Sequence, residues 1–264
     1  MALLSRSRPT TAFGVDIGGS GIKGAMVDLV RGELATERVK YLTPNPSTPE
    51  AVAEVVARLV LEAGWSGTLG ATFPAIIKNG VAYSAANVDK SWIGTDVDKV
   101  FTDITGCDVT VLNDADAAGL AEARYGAARG VNGVVILLTF GTGIGSALIF
   151  DGKLVPNTEL GHLEFDGMEA EVRASGRARM ERKLDWAAYM TELNYVLSRM
   201  HALFWPDLIV LCGGITADHP NLCDDLKIPT RIKLGALRAD AGIVGAAYAT
   251  TLAQGVWITQ ARQA

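Results

Sequence analysis

The chain has 264 residues, 49% of them hydrophobic and 20% charged, with 29 Gly and 9 Pro. This is globular composition, which excludes disordered, collagen-like and coiled-coil classes. Its 24 Lys and Arg against 29 Asp and Glu give a net charge of −5, an argument against a polyanionic partner such as nucleic acid if the charge is evenly spread.

No apolar run approaches ~18 residues, so no membrane span is expected. Met1 to Thr11 carries two arginines and only Ala2-Leu3-Leu4 as an apolar patch, too short for a secretory core. The three cysteines, Cys107, Cys212 and Cys223, are odd in number and widely spaced. They suit neither a disulfide framework nor a paired-cysteine zinc site. A soluble cytoplasmic protein is the expectation.

Taken in chain order, Phe13 to Asp16 and Ile22 to Asp28 read as strands, and Glu33 to Leu42 as a third. Thr48-Pro49-Glu50 has the form of a helix start, with a cap, a proline at the first position and an acid in the first turn. Val52, Val55, Val56, Leu59 and Val60 then share one face, and Gly64 ends the helix. Val109 to Leu112 reads as a strand. Val134 to Thr139 and Leu208 to Cys212 are short apolar runs suited to strands buried on both faces. Helical spacing recurs from Trp186 to Phe204, bounded by Pro206, and again from Asp240 to Gln254. Strands of both kinds with covering helices predict a layered α/β fold.

Three strands end in glycine-rich turns: Asp16-Ile-Gly-Gly-Ser-Gly21, Thr139-Phe-Gly-Thr-Gly-Ile-Gly145 and Cys212-Gly-Gly-Ile215. Glycine lets a turn bring its backbone N–H groups close to an anion. Gly19-Ser-Gly-Ile-Lys-Gly24 formally matches the dinucleotide fingerprint, but that fingerprint needs a helix where Ile22 to Val30 reads as a strand. No Gly-Lys-Ser/Thr triplet exists to make a P-loop. What remains is two strand–glycine–strand hairpins about 125 residues apart, which suggests related halves holding one phosphate chain. Asp16 alone is a strand-end turn residue; with both turns present it would hold a Mg²⁺ bridging phosphate oxygens.

These motifs resemble the ROK family of sugar kinases, within the actin/hexokinase-like superfamily. Asp16 to Gly24 looks like the first phosphate loop, Asn113-Asp114-Ala-Asp-Ala-Ala like the catalytic segment and Gly141-Thr-Gly-Ile-Gly145 like the second phosphate loop. Cys212-Gly-Gly214 resembles the nucleotide-side turn, and Glu159-Leu-Gly-His162 matches the Glu-x-Gly-His sugar motif. The likeness runs from about 12 to 252. One departure stands out: typical members follow Glu-x-Gly-His with a cysteine-rich zinc segment, whereas Leu163 to Ser175 has no cysteine. No zinc site is expected. Glu171-Val-Arg-Ala-Ser still matches the Glu-x-x-Ala-Ser that follows the zinc cysteines. That loss, with Ala85 to Gly94 and Leu138 to Ala147, is similar to one branch of the family, the bacterial polyphosphate glucokinases, some of which also phosphorylate mannose.

The resemblance implies a two-domain actin/hexokinase-like (ribonuclease H-like) fold with a central cleft. A small N-terminal domain over 1–115 would carry the first phosphate loop, joined by a helix returning over about 245–264. A larger one over 116–244 would carry the second loop, the sugar motif and the nucleotide-side turn. The implied sugar contacts are Asn87, Asn113, Asp114, Glu159, His162 and Glu171, with Asp114 the general base. Residue by residue, Asn113-Asp114 also reads as a turn capping a helix over Ala115 to Ala127, with Asp116 the better helix-start residue. Donor contacts would be Asp16, Gly18, Gly19, Ser20, Gly21 and Lys23, then Thr139, Gly141, Thr142 and Gly143, and lastly Gly213 and Gly214.

The implied partners are a hexose and polyphosphate or ATP with Mg²⁺, in a homodimer, with no nucleic acid and no membrane. A polyphosphate chain needs cations along its path. Residues 171–185 hold Arg173, Arg177, Arg179, Arg182 and Lys183 against Glu171, Glu181 and Asp185. Lys23, Lys90, Arg231, Lys233 and Arg238 would add to such a track if they line it. A strictly ATP-dependent kinase is the nearest alternative. A sugar-sensing repressor would carry a helix-turn-helix domain ahead of the first loop, where about eleven residues stand.

Overall fold

The computed structural model describes residues 9–253. Residues 1–8 of the N-terminal segment and the part of the expected return helix beyond Ala253 lie outside the described residues. The chain divides into two compact units, one running to Ala117 and resuming at Gly242, the other spanning Ala118–Ala241. The expected divisions were at 115/116 and 244/245.

In the first unit, β1 (Thr11–Ile17) and β2 (Ile22–Asp28) form a hairpin in register from Thr11↔Asp28 to Ile17↔Ile22. The expected third strand is two: β3 (Glu33–Leu34) pairs with the far end of β2, and β4 (Val39–Tyr41) pairs with its near end, Ile22 to Gly24. Between them Ala35 N–H bonds to Met26 C=O, and Thr36 Oγ1 accepts the Met26 N–H. These bonds draw the chain out of the ladder. After α1 (Pro49–Glu62) come β5 (Thr68–Phe73), the small hairpin β6 (Ile77–Lys78) and β7 (Val81–Ala82), α2 (Val97–Thr105) and β8 (Asp108–Asn113). The sheet order is β3-β2-β1-β5-β8, with β1, β5 and β8 parallel.

The start of α1 follows its sequence. Thr48 Oγ1 accepts the Ala51 N–H and Pro49 occupies the first turn, where its missing N–H costs nothing. Val52, Val56, Leu59 and Val60 are buried in a core with Phe13, Val15, Leu69, Phe73 and Trp92. α3 (Asp114–Arg124) follows β8 directly. It ends three residues earlier than expected, where the Glu122 carboxylate accepts the Ala127 N–H and turns the chain out of the helix.

The second unit repeats the plan. β9 (Val134–Phe140), β10 (Ile144–Phe150), β11 (Lys153–Val155), β14 (Leu208–Gly213) and β15 (Ile232–Leu234) form a sheet in the order β11-β10-β9-β14-β15. With the edge strand β4 left out of the count, both main sheets run third, second, first, fourth, fifth strand. Between β11 and β14 lie the hairpin β12 (Glu164–Phe165) and β13 (Met168–Glu169), then α4 (Ala170–Ala174), α5 (Gly176–Glu181) and α6 (Trp186–Phe204). Tyr189, Leu193, Val196, Leu197 and Met200 of α6 are buried with Ile136, Leu138, Ile209 and Leu211. α6 stops where Trp205 takes the left-handed conformation at φ 45° ahead of Pro206. α7 (Gly214–Asp218) follows β14.

α8 (Ala241–Ala253) returns the chain to the first unit. Its backbone lies on the sheet so closely that a β-carbon at Gly14 or Gly70 would stand 2.1 Å from the Ile243 carbonyl or 1.8 Å from that of Ala246. No helix among the described residues is long and apolar enough to cross a membrane.

Candidate active site

In the first unit, the β1–β2 turn runs through Gly18 to Gly21, closed by the Gly18 N–H donating to Gly21 C=O at 3.1 Å. Gly19 and Ser20 are exposed. A strand, not a helix, follows the glycines, so the resemblance to a dinucleotide fingerprint is one of spacing only. Asp16 Oδ1 accepts the Thr72 hydroxyl at 3.0 Å, and Oδ2 lies 3.2 Å from Lys23 Nζ. Thr72 Oγ1 also accepts the Ile17 N–H, fixing the carboxylate to the strand end. Asn87 packs on the turn: a β-carbon at Gly19 would lie 3.0 Å from that of Asn87.

Asn113 ends β8 and is buried. Its Oδ1 accepts the Ala115 and Asp116 N–H groups at 2.8 and 3.1 Å, and its Nδ2 donates to Ala75 C=O at 3.2 Å. Asn113, rather than Asp116, therefore caps α3. The reason is reach: a cap side chain must stand before the helix to meet its second and third N–H groups, and Asp116 is already inside the first turn. Asp114 is the first residue of α3 and exposed, with its Oδ1 on the Ala115 N–H at 2.9 Å. It sits at the carboxyl end of a parallel strand, where open α/β sheets place their chemistry.

Asp16 suits a Mg²⁺ held through water. A carboxylate offers about four acceptor positions, and Thr72 and Lys23 occupy two here. Mg²⁺ commonly takes one or two carboxylates and keeps several waters.

In the second unit, the β9–β10 turn is shorter: Gly141 N–H donates to Gly143 C=O at 3.1 Å, and Gly141 and Thr142 are exposed. Thr139 precedes it as the partner of Cys212 across the β9–β14 ladder. Gly213, at φ 95°, and Gly214 lead from β14 into α7; a β-carbon at Gly213 would be 2.3 Å from Phe140 C=O. The Gly213–Gly214 turn is thus pressed on the strand that enters the second glycine turn.

The sugar motif is built onto the same hairpin. A turn over Leu160–His162 lies so close to β10 that a β-carbon at Gly161 would stand 2.1 Å from Ile144 C=O. Ser146 fastens it, donating to Thr158 C=O while accepting the Leu160 N–H. Glu171 reaches the second loop itself: its Oε2 accepts the Ile144 N–H at 3.2 Å and fills the space a Gly143 side chain would need. His162 Nδ1 lies 3.1 Å from Glu169 Oε2 and 4.0 Å from Glu171 Oε1.

The hydrogen bond that Glu169 accepts, with the charges of Glu171, Glu169 and Glu159, raises the His162 pKa against a partial desolvation that lowers it. Burial raises the pKa of Glu159, with Glu171 adding to it and His162 opposing. The ligand-capable atoms of His162, Glu169 and Glu171 lie within 4.8 Å of one another. None of the cysteines belongs to that cluster.

Some groups at these sites carry no signal in the sequence. Thr72, Lys40 and Glu169 each touch an expected site residue, but they enter through strand register and a hairpin that no motif encodes. Glu169 orients the His162 ring through its Nδ1 contact at 3.1 Å. Two of the five cations in residues 171–185 have a carboxylate partner, and they share it. Arg173 and Arg182 both pair with Glu192 at 3.2 and 2.6 Å, and Arg179 lies over the rings of Trp186 and Tyr189 beside His219. Among the described residues Arg177, Arg179 and Lys183 of this stretch have no ion pair. Arg177 stands beside the second glycine turn, its N–H on Gly141 C=O at 3.3 Å. Lys233 donates to Ala127 C=O.

The sequence profile of the ROK family matches residues 12–177. A polyphosphate glucokinase of Mycobacterium tuberculosis is 49% identical over 239 residues, 90% of each chain. The solved structure of an inorganic polyphosphate/ATP-glucomannokinase from Arthrobacter sp. strain KM is similar at a TM-score of 0.88 with 50% identity, covering 94% of this chain and 100% of that one. A ROK family glucokinase from Streptomyces griseus shares the fold at a TM-score of 0.78 with 23% identity, over 93% of this chain and 100% of the other.

Proposed function

The chain belongs to the ROK family and has its actin/hexokinase-like fold, and from that premise we propose that it is a glucokinase using inorganic polyphosphate or ATP. It transfers the terminal phosphoryl group to the 6-hydroxyl of glucose, with mannose as a second substrate. The observation that carries this reading is near half-identity, through nearly the whole of both chains, to proteins named for that activity.

Asp114 is the base. Its exposed carboxylate takes the proton of the 6-hydroxyl as that oxygen attacks the terminal phosphorus in line. The new P–O bond replaces the anhydride P–O bond, and the leaving group is ADP or a polyphosphate shorter by one unit. Asn87, Glu159, His162 and Glu171 supply donors and acceptors for the sugar hydroxyls; Asn113 contributes its remaining Nδ2 hydrogen. The two glycine turns offer N–H groups to the donor phosphates, Lys23 adds charge, and Gly213 and Gly214 form the nucleotide side. Mg²⁺ held at Asp16 through water would neutralise charge on the donor. A cytoplasmic homodimer goes with the reading, and light scattering checks its mass.

The test is an assay of glucose and mannose, each with ATP and with ATP-free polyphosphate. Turnover with polyphosphate is expected; activity with ATP alone would make the chain an ATP-dependent glucokinase. Asp114→Asn should lower kcat by ~10²–10⁴, the usual worth of a general base, with a smaller change in hexose KM. Near-normal turnover of that variant would refute the assignment.

A further inference from the structure

We propose that Lys40 is a donor-binding residue: with Lys23 it forms a cationic pair at the first glycine turn that holds the linear chain of anhydride-linked phosphates. The inference rests on the reading of the protein as a phosphotransferase and adds a contact that no motif supplies.

Strand register makes the pair. Asp16 of β1 stands opposite Lys23 of β2, and Lys23 stands opposite Lys40 of β4. Directly opposed residues of antiparallel strands project to the same face. One row across three strands therefore reads acid, base, base, and it lies at the mouth of the Gly18–Gly21 turn. Like charges directly opposed destabilise a sheet. Asp16 answers only the nearer lysine, at 3.2 Å. Lys40 is exposed and has no ion pair among the described residues.

Edge strands often carry a lysine merely to discourage pairing with another chain, and β4 is an edge. Such a lysine extends into solvent. Lys40 instead lies across the turn: a β-carbon at Gly21 would be 2.6 Å from its Cε and 3.6 Å from its Nζ. The missing side chain at Gly21 is what admits it. Thr43, three residues on, also grips the turn, donating to Gly18 C=O at 2.5 Å, so β4 and the segment after it are tied to the phosphate loop. Two ammonium groups beside a turn that presents backbone N–H groups form an anion site, and one carboxylate cannot neutralise both.

The ligand is a phosphate chain, available as ATP or as polyphosphate. The test measures KM for both donors and for hexose in wild type, Lys40→Ala and Lys40→Arg. Lys40→Ala removes a charge-assisted hydrogen bond, which should raise KM for polyphosphate about tenfold or more. It should leave hexose KM within twofold, and Lys40→Arg should largely restore the donor KM. The slope of log KM for polyphosphate against log salt should fall by about one in Lys40→Ala. A parallel rise for ATP assigns Lys40 to phosphates common to both donors; a rise for polyphosphate alone assigns it to the chain beyond them.

Unchanged KM for both donors would make Lys40 an edge-strand lysine and overturn the proposal. So would a hexose KM that rises in step. Calorimetric titration of tripolyphosphate into wild type and Lys40→Ala, without hexose, tests the contact apart from turnover. Tighter binding by wild type supports it even where the sugar assignment fails, and equal binding overturns it.

Discussion

Gly161→Ala isolates the tie between the sugar motif and the second phosphate loop. The added methyl would sit 2.1 Å from Ile144 C=O, where contacts under 3.0 Å are essentially never tolerated. The turn over Leu160–His162 must therefore move by about 0.9 Å or more, because Ile144 is held in the β9–β10 ladder opposite Phe140. A displacement near 1 Å of a positioning group can cost ~10²-fold in kcat/KM, about 2.7 kcal/mol of transition-state stabilisation. Overpacking itself costs ~1–3 kcal/mol of stability.

The assay is steady-state kinetics with hexose varied at saturating donor, beside urea unfolding. Gly70→Ala serves as the comparison, since its methyl would clash at 1.8 Å with Ala246 C=O on the sheet under α8. Both variants should lose stability. Gly161→Ala alone should raise the hexose KM, with donor KM little changed. A Gly161→Ala protein whose hexose kcat/KM stays within threefold of wild type would refute the claim that this contact sets the sugar motif.

The remaining expectations concern titration, a buried carboxylate and a thiol. His162 has a raised pKa from its Glu169 hydrogen bond, with Glu159 and Glu171 also facing it, so its doubly protonated form persists to higher pH than an ordinary histidine's. If that form donates to the sugar, hexose KM is flat below the raised value and climbs above it. In Glu169→Gln the pKa falls and the climb begins at lower pH, whereas an unmoved profile would deny Glu169 its orienting part. Glu122 is buried and accepts the Ala127 and Leu237 N–H groups at 2.6 and 2.8 Å. Glu122→Ala should cost ~3 kcal/mol or more, at ~1.5–3 per charge-assisted bond, seen as faster proteolysis of the native protein. Burial, with Glu122 nearby, pushes the Cys212 thiol up to about 12; thiol reagents at pH 8 should leave it unmodified until the protein unfolds. Labelling of native Cys212 in step with Cys223 would contradict that burial.

Much of this protein was legible in the chain because its signals are local. Thr48-Pro49-Glu50 encodes the start of α1 in the caps and dihedrals of three neighbours. Trp186 to Phe204 encodes α6 through spacing alone, and a strand directly after Gly21 rules out a dinucleotide turn. Where the local signal admitted two outcomes, the reading slipped. Glu33 to Leu42 has the composition of one strand, but Thr36 hydrogen-bonds Met26 and divides it into two. Asn113 and Asp116 are both acceptable caps by type, and only position relative to the first turn selects Asn113.

The sequence by itself determined the kinds of groups present: two glycine turns, Asp114 after a strand, Glu159 and His162 in one short motif, and no cysteine in the stretch Leu163 to Ser175 that follows. Those are properties of neighbours along the chain. Tertiary structure decided which distant groups complete them. Glu169 meets His162 because a two-residue turn at Asp166-Gly167 folds β13 back on β12. Arg173 and Arg182, counted as a basic track, share the carboxylate of Glu192 on another helix. Lys40 reaches the first glycine turn because it pairs in register with Lys23, 17 residues away in the chain. A charge counted along the chain says nothing of what it will face; pairing across a sheet or between helices sets that, and such pairing depends on the packed fold as a whole.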